Sequence, residues 1–313
     1  MTTQLFLQTF LNALMLAGLY VMTATGLSLV LGVLHIINFA HGAFLMFGGY
    51  LVWMLVAKDL NPSSVSSIES IPNWLQQLEL PYPLASLVAV IAIGALGAVV
   101  NRVLYQRFWG KVLPCLIVAV GLTQVMQQGA FVTFGIHTKS IPTYFEGIVN
   151  IFGARFPLER LMIIVVAVVL TAGLLILLRY TKVGLAMRAV AQDSDAAAVS
   201  GVSIPRTAGI AMFIGCAMAA AAATVIAPVF TVHAYMAEGY LIKAFMVIIL
   251  GGMGSITGAI WAGILVGFID AFGNVFFGYF NQIILLILVI VVIVIKPTGL
   301  FGGIVFEIFT REE

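Results

Sequence analysis

The sequence predicts an all-α, polytopic membrane protein with about eight transmembrane segments, including two broken or re-entrant helix pairs. Of 313 residues, 62% are hydrophobic and only 8% are charged, so lipid must be the solvent for most side chains. Apolar runs of about 20 residues are long enough to cross a hydrocarbon core of about 30 Å as helices. The alternating segments of about ten residues that mark a membrane β-barrel are absent. A single transmembrane domain over residues 1–313 is therefore expected.

The apolar segments can be taken in order along the chain. The first has no charged residue before Lys58 and lacks a basic leader and a small-residue cleavage site, so it predicts a retained helix and not a signal peptide. Cys115 and Cys216 lie singly in apolar runs, which favours neither a disulfide framework nor a metal site. The predicted segments are about 5–34, 40–57, 83–105, 112–135, 158–178, 207–230, 241–252, 256–275 and 281–296.

The loops between these segments predict the orientation of the chain. Basic residues are concentrated at 101–111 and 179–206, so both loops are expected in the cytoplasm. The insert at 58–82 has one Lys against three acidic residues, and the loop at 136–160 is mixed, so both are placed outside. An even number of crossings must then follow the 179–206 loop.

Two glycine-rich or polar breaks interrupt the apolar pattern. The break "INFAHGA" (37–43) lies between about 26–36 and 40–57, and "LGGMGSITGA" (250–259) lies between 241–252 and 256–275. Because an even number of crossings must follow the 179–206 loop, the second pair is expected to enter the membrane and return on the same side. Because each break is followed by Gly-Ala and small residues at helical spacing, we expect a diverged internal repeat of about 1–105 and 207–296.

These breaks are the first candidates for a functional site. A broken helix at membrane depth leaves backbone groups unpaired at a cost of several kcal/mol each, so it persists only where protein or a water-filled cavity receives it. The breaks are therefore expected to line a pathway for a polar solute. The neighbouring glycines Gly48, Gly49, Gly258 and Gly263 fit tight helix packing equally well. The candidate pathway residues are Asn38, His41 and Gly42 from the first break and Gly251, Gly252, Gly254 and Ser255 from the second.

Few ionisable residues lie in apolar segments. Asp270 stands in "GILVGFIDAFGNVFFGYF", where an ionised carboxylate costs several kcal/mol unless it faces a cavity or a partner. It is predicted to have a pathway or interface role, against the alternative of a position near the outer surface. Glu238 and Lys243 are expected at the external mouth, where they either contact a delivery protein or belong to a solvated rim. The histidines are too scattered for a metal site: His35 is expected to make one buried hydrogen bond, and His137 and His233 to be exposed.

The 184–206 stretch, "GLAMRAVAQDSDAAAVSGVSIPR", predicts short amphipathic helices. Ser194 and Asp195 are placed to cap the second helix, and Gly201 to end it. Small side chains would let such an element lie in a groove of another protein, and a solvated connector is the alternative. The candidate coupling residues are Arg188, Asp193, Asp195, Ala196, Ala197 and Gly201.

At this point the motifs resemble a known family. "INFAHGA", "KAFMVIILGGMGSITGAIWAGILVGFID" (243–270), the 184–203 loop and "KPTGLFG" (296–302) occur in the same order in the LivH-type permease subunits of branched-chain amino acid ABC importers. The resemblance covers essentially the whole chain. At one position the chain departs from it, because Asp270 stands where a Glu is often expected.

The resemblance implies a multi-pass permease of a bacterial inner membrane. Its implied partners are a second, dissimilar permease subunit, two cytoplasmic ATPase subunits that bind the 184–206 segment, and a periplasmic substrate-binding protein. Members of this family serve branched-chain amino acids, other amino acids, urea and short amides, so the substrate does not follow from it.

The remaining sequence predicts no catalysis. No Gly-x4-Gly-Lys-Ser/Thr run is present to bind ATP phosphates, and neither a recognisable Ser-His-Asp arrangement nor a metal-type His cluster occurs. No cofactor and no nucleic-acid partner are expected. A stand-alone small-solute channel and an ion-coupled secondary transporter are the alternatives. The second needs intramembrane relay residues, which are almost lacking beyond Asp270, and the first needs no cytoplasmic loop of 28 residues.

Overall fold

The computed structural model describes residues 3–56 and 80–301, apart from residues 143, 145, 146 and 152. The insert predicted at 58–82 therefore lies almost wholly outside the described residues. Two 3₁₀ turns, Tyr105–Phe108 and Gly278–Phe280, follow the helices that end at Val103 and Phe277. The helices are α1 (Thr3–Leu34), α2 (His41–Val56), α3 (Tyr82–Val103), α4 (Val112–Phe134), α5 (Leu158–Tyr180), α6 (Lys182–Gln192), α7 (Ser194–Val199), α8 (Ile204–Ile226), α9 (Met236–Gly251), α10 (Ile256–Phe277) and α11 (Asn281–Ile295), and the strands are β1 (Ile148–Ile151) and β2 (Ala154–Pro157).

The described chain is a polytopic helical bundle, as the composition predicts. Six stretches are long and apolar enough to cross a membrane: α1, α3 with its 3₁₀ turn, α4, α5, α8, and α10 together with α11. Two further apolar helices, α2 and α9, have only 16 residues each. At 1.5 Å per residue each is about 24 Å long, which is shorter than the hydrocarbon core.

The two ends of the bundle differ in what they carry. The β-hairpin β1–β2 is antiparallel, with Ile148 opposite Pro157, and it packs beside the first half of α1, where Leu11 and Met15 contact Phe156. We call this the upper end. The opposite end carries α6 and α7, and we call it the lower end.

The core of the bundle is built around α1 and α8. Every residue of α1 from Leu19 to Leu34 is buried, because α1 packs against α5, α8, α9 and α10. By contrast, α5 buries one stripe, Ile163, Ala167, Thr171, Leu174 and Leu178, and leaves its other apolar face exposed. A helix of this kind faces the core on one side and lipid on the other.

Small residues allow the central helices to approach closely. On α10, Gly263 packs against the backbone of Val21, so that a larger side chain would separate α10 from α1. On α3, Gly97 packs against Cys216 of α8. Gly48 contacts Ala220 and Gly258 contacts Gly251, in agreement with the packing alternative for the glycines beside the breaks.

The helix directions form a regular pattern. Contacts of Gly32 with Gly254 and of Val21 with Gly263 make α1 and α10 antiparallel. The bond from Tyr82 to the Thr224 carbonyl, together with the contact of Gly97 with Cys216, makes α3 and α8 antiparallel in the same way. The pairing of α1 with α10 therefore resembles that of α8 with α3 in the opposite orientation, an arrangement compatible with the predicted repeat.

Candidate functional site

The first break is a re-entrant segment. The chain leaves α1 through His35, whose φ is 54°, and α2 begins beside Thr23, whose carbonyl lies 3.1 Å from His41 Nε2. Thr23 precedes the end of α1 by eleven residues, which is about 16 Å at 1.5 Å per residue. Residues 35–40 therefore climb back along α1, and α2 begins inside the bundle.

Asn38 holds this segment in place. Its Oδ1 accepts hydrogen bonds from the Ala40 amide at 3.1 Å and from the Tyr105 hydroxyl at 3.0 Å. Its Nδ2 lies 3.7 Å from the Met212 sulfur. Asn38 is fully buried, so its amide is committed to protein partners.

His41 is the polar group of this break that keeps a free position. Nε2 is taken by the Thr23 carbonyl, whereas the buried Nδ1 has no partner among the described residues. The ring lies beside Gly26, where α1 meets Gly215 of α8. Gly215 is in the middle of α8, so His41 lies near the centre of the bundle.

A second re-entrant segment, residues 227–235, precedes α9. Val232 contacts Gly49 near the upper part of α2, and then Ala237 and Leu241 of α9 contact Gly42 in the first turn of α2. The two short helices α2 and α9 therefore begin at the same depth, with their N-termini adjacent. The apolar pattern does not predict this segment, although Pro228 and the polar residues Thr231 and His233 mark it in the sequence.

The second predicted break has a different position from the one expected. Gly254 contacts Gly32 near the lower end of α1, and the Leu300 amide donates to the Leu250 carbonyl. The break is thus a turn at the lower end, with φ values of +100° at Gly252 and +81° at Gly254. The expected equivalence of the two breaks is wrong, because α9 runs from the middle of the bundle down to this turn, whereas α2 begins at the first break in the middle of the bundle.

The side chains of this turn stabilise it. Ser255 Oγ accepts a hydrogen bond from the Gly258 amide at 3.1 Å and so caps α10. Gly251 and Gly258 bring the backbones of α9 and α10 into contact. Gly254 also borders a cavity of about 250 Å³ whose lining includes Ser28 and Arg188, so the turn adjoins α6.

Asp270 is the centre of a buried polar network. Its carboxylate accepts hydrogen bonds from the Tyr20 hydroxyl, from Lys243 Nζ at 3.1 Å and from Asn281 Nδ2 at 2.5 Å. Asn274 Nδ2 adds a contact at 3.2 Å. These donors replace the water that an ionised carboxylate loses on burial.

The network also borders a polar cavity of about 480 Å³ near the upper end, lined by Lys243, Asp270, Asn274 and Asn281 among others. The expectation that Lys243 lies with Glu238 on a rim is corrected: Lys243 pairs with Asp270, and Glu238 accepts a hydrogen bond from Gln127 at 3.1 Å. Charged residues are rare in the apolar segments, so the opposite charges of Lys243 and Asp270 are the sequence signal for this pair.

The 184–206 segment folds into α6 and α7, as predicted. Gly184, Met187 and Val190 form the buried face of α6, and Leu185 is exposed. Of the candidate coupling residues, Ala197 is buried against the bundle, whereas Arg188, Asp193, Asp195, Ala196 and Gly201 are exposed.

The cap of α7 differs from the predicted one. Asp193 Oδ1 accepts hydrogen bonds from the amides of Asp195 and Ala196, both at 2.9 Å, so Asp193 takes the role expected of Ser194 and Asp195. Gly201 ends the helix with a φ of +87°. Its amide donates to the Ala198 carbonyl, which is part of a Schellman motif.

The described residues include no group of three or more His, Cys, Asp or Glu side chains that could hold a metal. His35 is half-buried, and burial lowers its pKa below the usual value, so the ring is neutral at pH 7. His137 is exposed as expected, whereas His233 is half-buried in the second re-entrant segment.

The chain matches one protein family over almost its whole length. The model described as "Branched-chain amino acid transport system / permease component" matches residues 9–295. The high-affinity branched-chain amino acid transport system permease protein LivH of Escherichia coli K12 is 30% identical over 306 residues, covering 95% of this chain and 96% of LivH. The permease protein BraD of Pseudomonas aeruginosa is 29% identical over 308 residues, with the same coverage of each chain. No solved structure gives a significant match.

Proposed function

Because the chain belongs to the family of branched-chain amino acid transport system permease components, we propose that it moves branched-chain or related hydrophobic amino acids into the cytoplasm. It is a permease of an ABC importer. The observation that carries the substrate proposal is the similarity to LivH and BraD, 30% and 29% identical along 95% of this chain. Urea and short amides are the alternative substrates.

The proposed assembly places the chain in a bacterial inner membrane. It pairs there with a second, dissimilar permease, and two ATPase subunits bind its lower end. A periplasmic binding protein delivers substrate to the upper end. The positions of Arg102, Arg179, Arg188 and Arg206, all towards the lower end, support this orientation by the positive-inside rule.

We place the pathway where α2 and α9 begin. Each helix N-terminus carries about half a positive charge and unpaired amides, which favour an anionic group such as an amino acid carboxylate. The contact of Gly42 with Ala237 brings these two ends together near the middle of the bundle. His41 is the first residue of α2, and its Nδ1, which has no partner among the described residues, can bind a polar solute there.

The other candidate residues have different proposed roles. Asn38 positions the first re-entrant segment through Tyr105. Gly251, Gly252, Gly254 and Ser255 shape the turn beside α6, and through it the coupling segment can act on α10. Asp270 and Lys243 form a polar surface at the upper cavity.

The proposed function is tested by reconstitution. The chain, its second permease and the two ATPases are placed in proteoliposomes with the binding protein and given radiolabelled leucine, phenylalanine or urea. ATP-dependent uptake of leucine is expected. Uptake of urea alone would replace the substrate proposal, and equal uptake without ATP or the ATPases would indicate a channel.

The coupling role of α6 and α7 needs a separate test. Val199 is 92% exposed on α7, an unusual position for an apolar residue in contact with water, and it fits a groove of the ATPase. Val199→Asp is expected to abolish co-purification of the ATPase. The matched control is Val149→Asp, on β1 at the upper end. If both variants retain the ATPase equally, the segment is a solvated connector.

Gly201→Arg and Ala197→Trp are the substitutions that the sequence suggests for this test, and Ala196→Trp replaces the second. Gly201→Arg strains the left-handed position at the end of α7, whereas Ala196→Trp enlarges an exposed side chain. Ala197 is less suitable because it is buried within the chain itself. Both variants are expected to insert normally and to lose ATP hydrolysis stimulated by loaded binding protein.

A further inference from the structure

A basic cavity lies between α3 and α8 at the lower end. Its volume is about 780 Å³. Arg102, in the last turn of α3, and Arg206, in the first turn of α8, supply its charge. The lining is Ala98, Arg102, Gln106, Pro205, Arg206, Gly209, Ile210 and Phe213.

The positive charge of this cavity is not neutralised by the described chain. Among the described residues, neither Arg102 nor Arg206 has an ion-pair or hydrogen-bond partner. Arg206 also lies at the N-terminal end of α8, whose first turn has no acidic residue. A cation is unfavourable at that end of a helix dipole, so an anion bound there would relieve the repulsion.

One polar side chain beside the arginines also lines the cavity. Gln106 Nε2 donates to the Pro205 carbonyl at 3.1 Å and so joins the two helices. This bond holds the 3₁₀ turn after α3 against the first turn of α8, next to Arg206.

The remaining wall is apolar. Phe213 and Ile210 of α8, with Ala98 of α3, continue the cavity from the arginines towards the middle of the bundle. The adjoining outer face of α3 exposes Val99 and Val103. A ligand that fits has an anionic group at the lower end and hydrocarbon above it.

We propose that this cavity binds an anionic phospholipid of the leaflet at the lower end. It holds the headgroup and the part of one acyl chain next to the headgroup. Two guanidinium groups hold the phosphate by charge-assisted hydrogen bonds. A lipid fits better than an acidic surface of the ATPase, because α6 and α7 contribute no residue to the cavity and its wall is hydrocarbon. The lipid would fix the spacing of α3 and α8, and α8 begins directly after the coupling segment.

The test measures the lipid that the protein retains. Purified protein is reconstituted in nanodiscs of phosphatidylcholine and phosphatidylglycerol at a 4:1 ratio, re-extracted in mild detergent, and its bound lipid is quantified by mass spectrometry. The wild type is expected to retain about one phosphatidylglycerol per chain. Arg102→Gln with Arg206→Gln is expected to lower that retention about thirtyfold, the factor that two basic residues near an anionic lipid supply together.

A matched control and two further arms make the result decisive. Arg107→Gln removes the same charge from the neighbouring turn but does not line the cavity, so it should retain the lipid. Size-exclusion profiles show whether each variant is folded. Excess inorganic phosphate should not displace the lipid. Unchanged retention in the double variant, or equal retention of phosphatidylcholine, would overturn the proposal. If the double variant retains the lipid but no longer co-purifies with the ATPase, the proposal is also overturned, and the surface is a protein contact.

Discussion

Removing the carboxylate of Asp270 should destabilise the protein through Lys243. In Asp270→Asn the shape of the side chain is kept, and Asn281 still meets an oxygen, but Lys243 loses the charge 3.1 Å away. Removing one partner of a buried pair costs about 3–5 kcal/mol, because the other charge stays desolvated. The Lys243 side chain is 16% exposed, so we expect the lower figure, about 3 kcal/mol.

The measurement is thermal unfolding of the purified protein in detergent. About 2 °C is lost per kcal/mol in chains of this size range, which gives a fall of about 6 °C in Tm. Adding Lys243→Met removes the unpaired charge while keeping the length of the side chain. The double variant should therefore recover at least half of the loss.

Asp270→Glu is the matched control, because it keeps the charge and borders a cavity with room for one methylene. An unchanged Tm in Asp270→Asn would show that the ion pair does not stabilise the fold. A double variant no more stable than Asp270→Asn would show that the cost comes from the Tyr20 and Asn281 contacts instead.

Three further predictions concern the breaks and the coupling segment. Gly42→Ala should reduce uptake with insertion intact, because its Cβ meets the first turn of α9; Gly121→Ala, with no atom within 4 Å of its Cβ, should transport normally. Asn38→Leu should lower uptake and cost about 1–3 kcal/mol by leaving the Tyr105 hydroxyl without an acceptor; if adding Tyr105→Phe restores no stability in unfolding experiments, that explanation fails. Asp193→Ala should cost α7 about 1 kcal/mol, visible as faster amide hydrogen exchange at 194–199, and unchanged exchange there would count against the cap.

Local sequence predicts structure best where a segment's own residues decide it. Local spacing predicts the α6–α7 segment, and Gly201 ends α7 as expected. The spacing does not distinguish the cap, because Asp193, Ser194 and Asp195 in "QDSD" can all accept hydrogen bonds from the first amides of α7. Only backbone geometry distinguishes Asp193 among them.

The two breaks show the limit of local patterns. In sequence, "INFAHGA" and "LGGMGSITGA" are both polar or glycine-rich breaks that end in Gly-Ala. Residues 35–40 climb into the bundle because Tyr105 and Met212 hold Asn38, whereas 252–255 make a turn held by Gly32 and Leu300. Those partners are distant along the chain, so the break motifs themselves do not identify them.

The helical class and the apolar spans follow from the sequence alone, because an apolar helix satisfies its own backbone hydrogen bonds and its composition sets its preference for lipid. The order of the motifs along the chain likewise suffices for the family. The depth at which α2 and α9 begin, and the pairing of Lys243 with Asp270 27 residues away, depend on the folded structure. Depth and pairing depend on close contacts between helices, such as Gly42 with Ala237. Such contacts are set by the packing of whole helix faces against each other, and they produce no periodic pattern in the sequence.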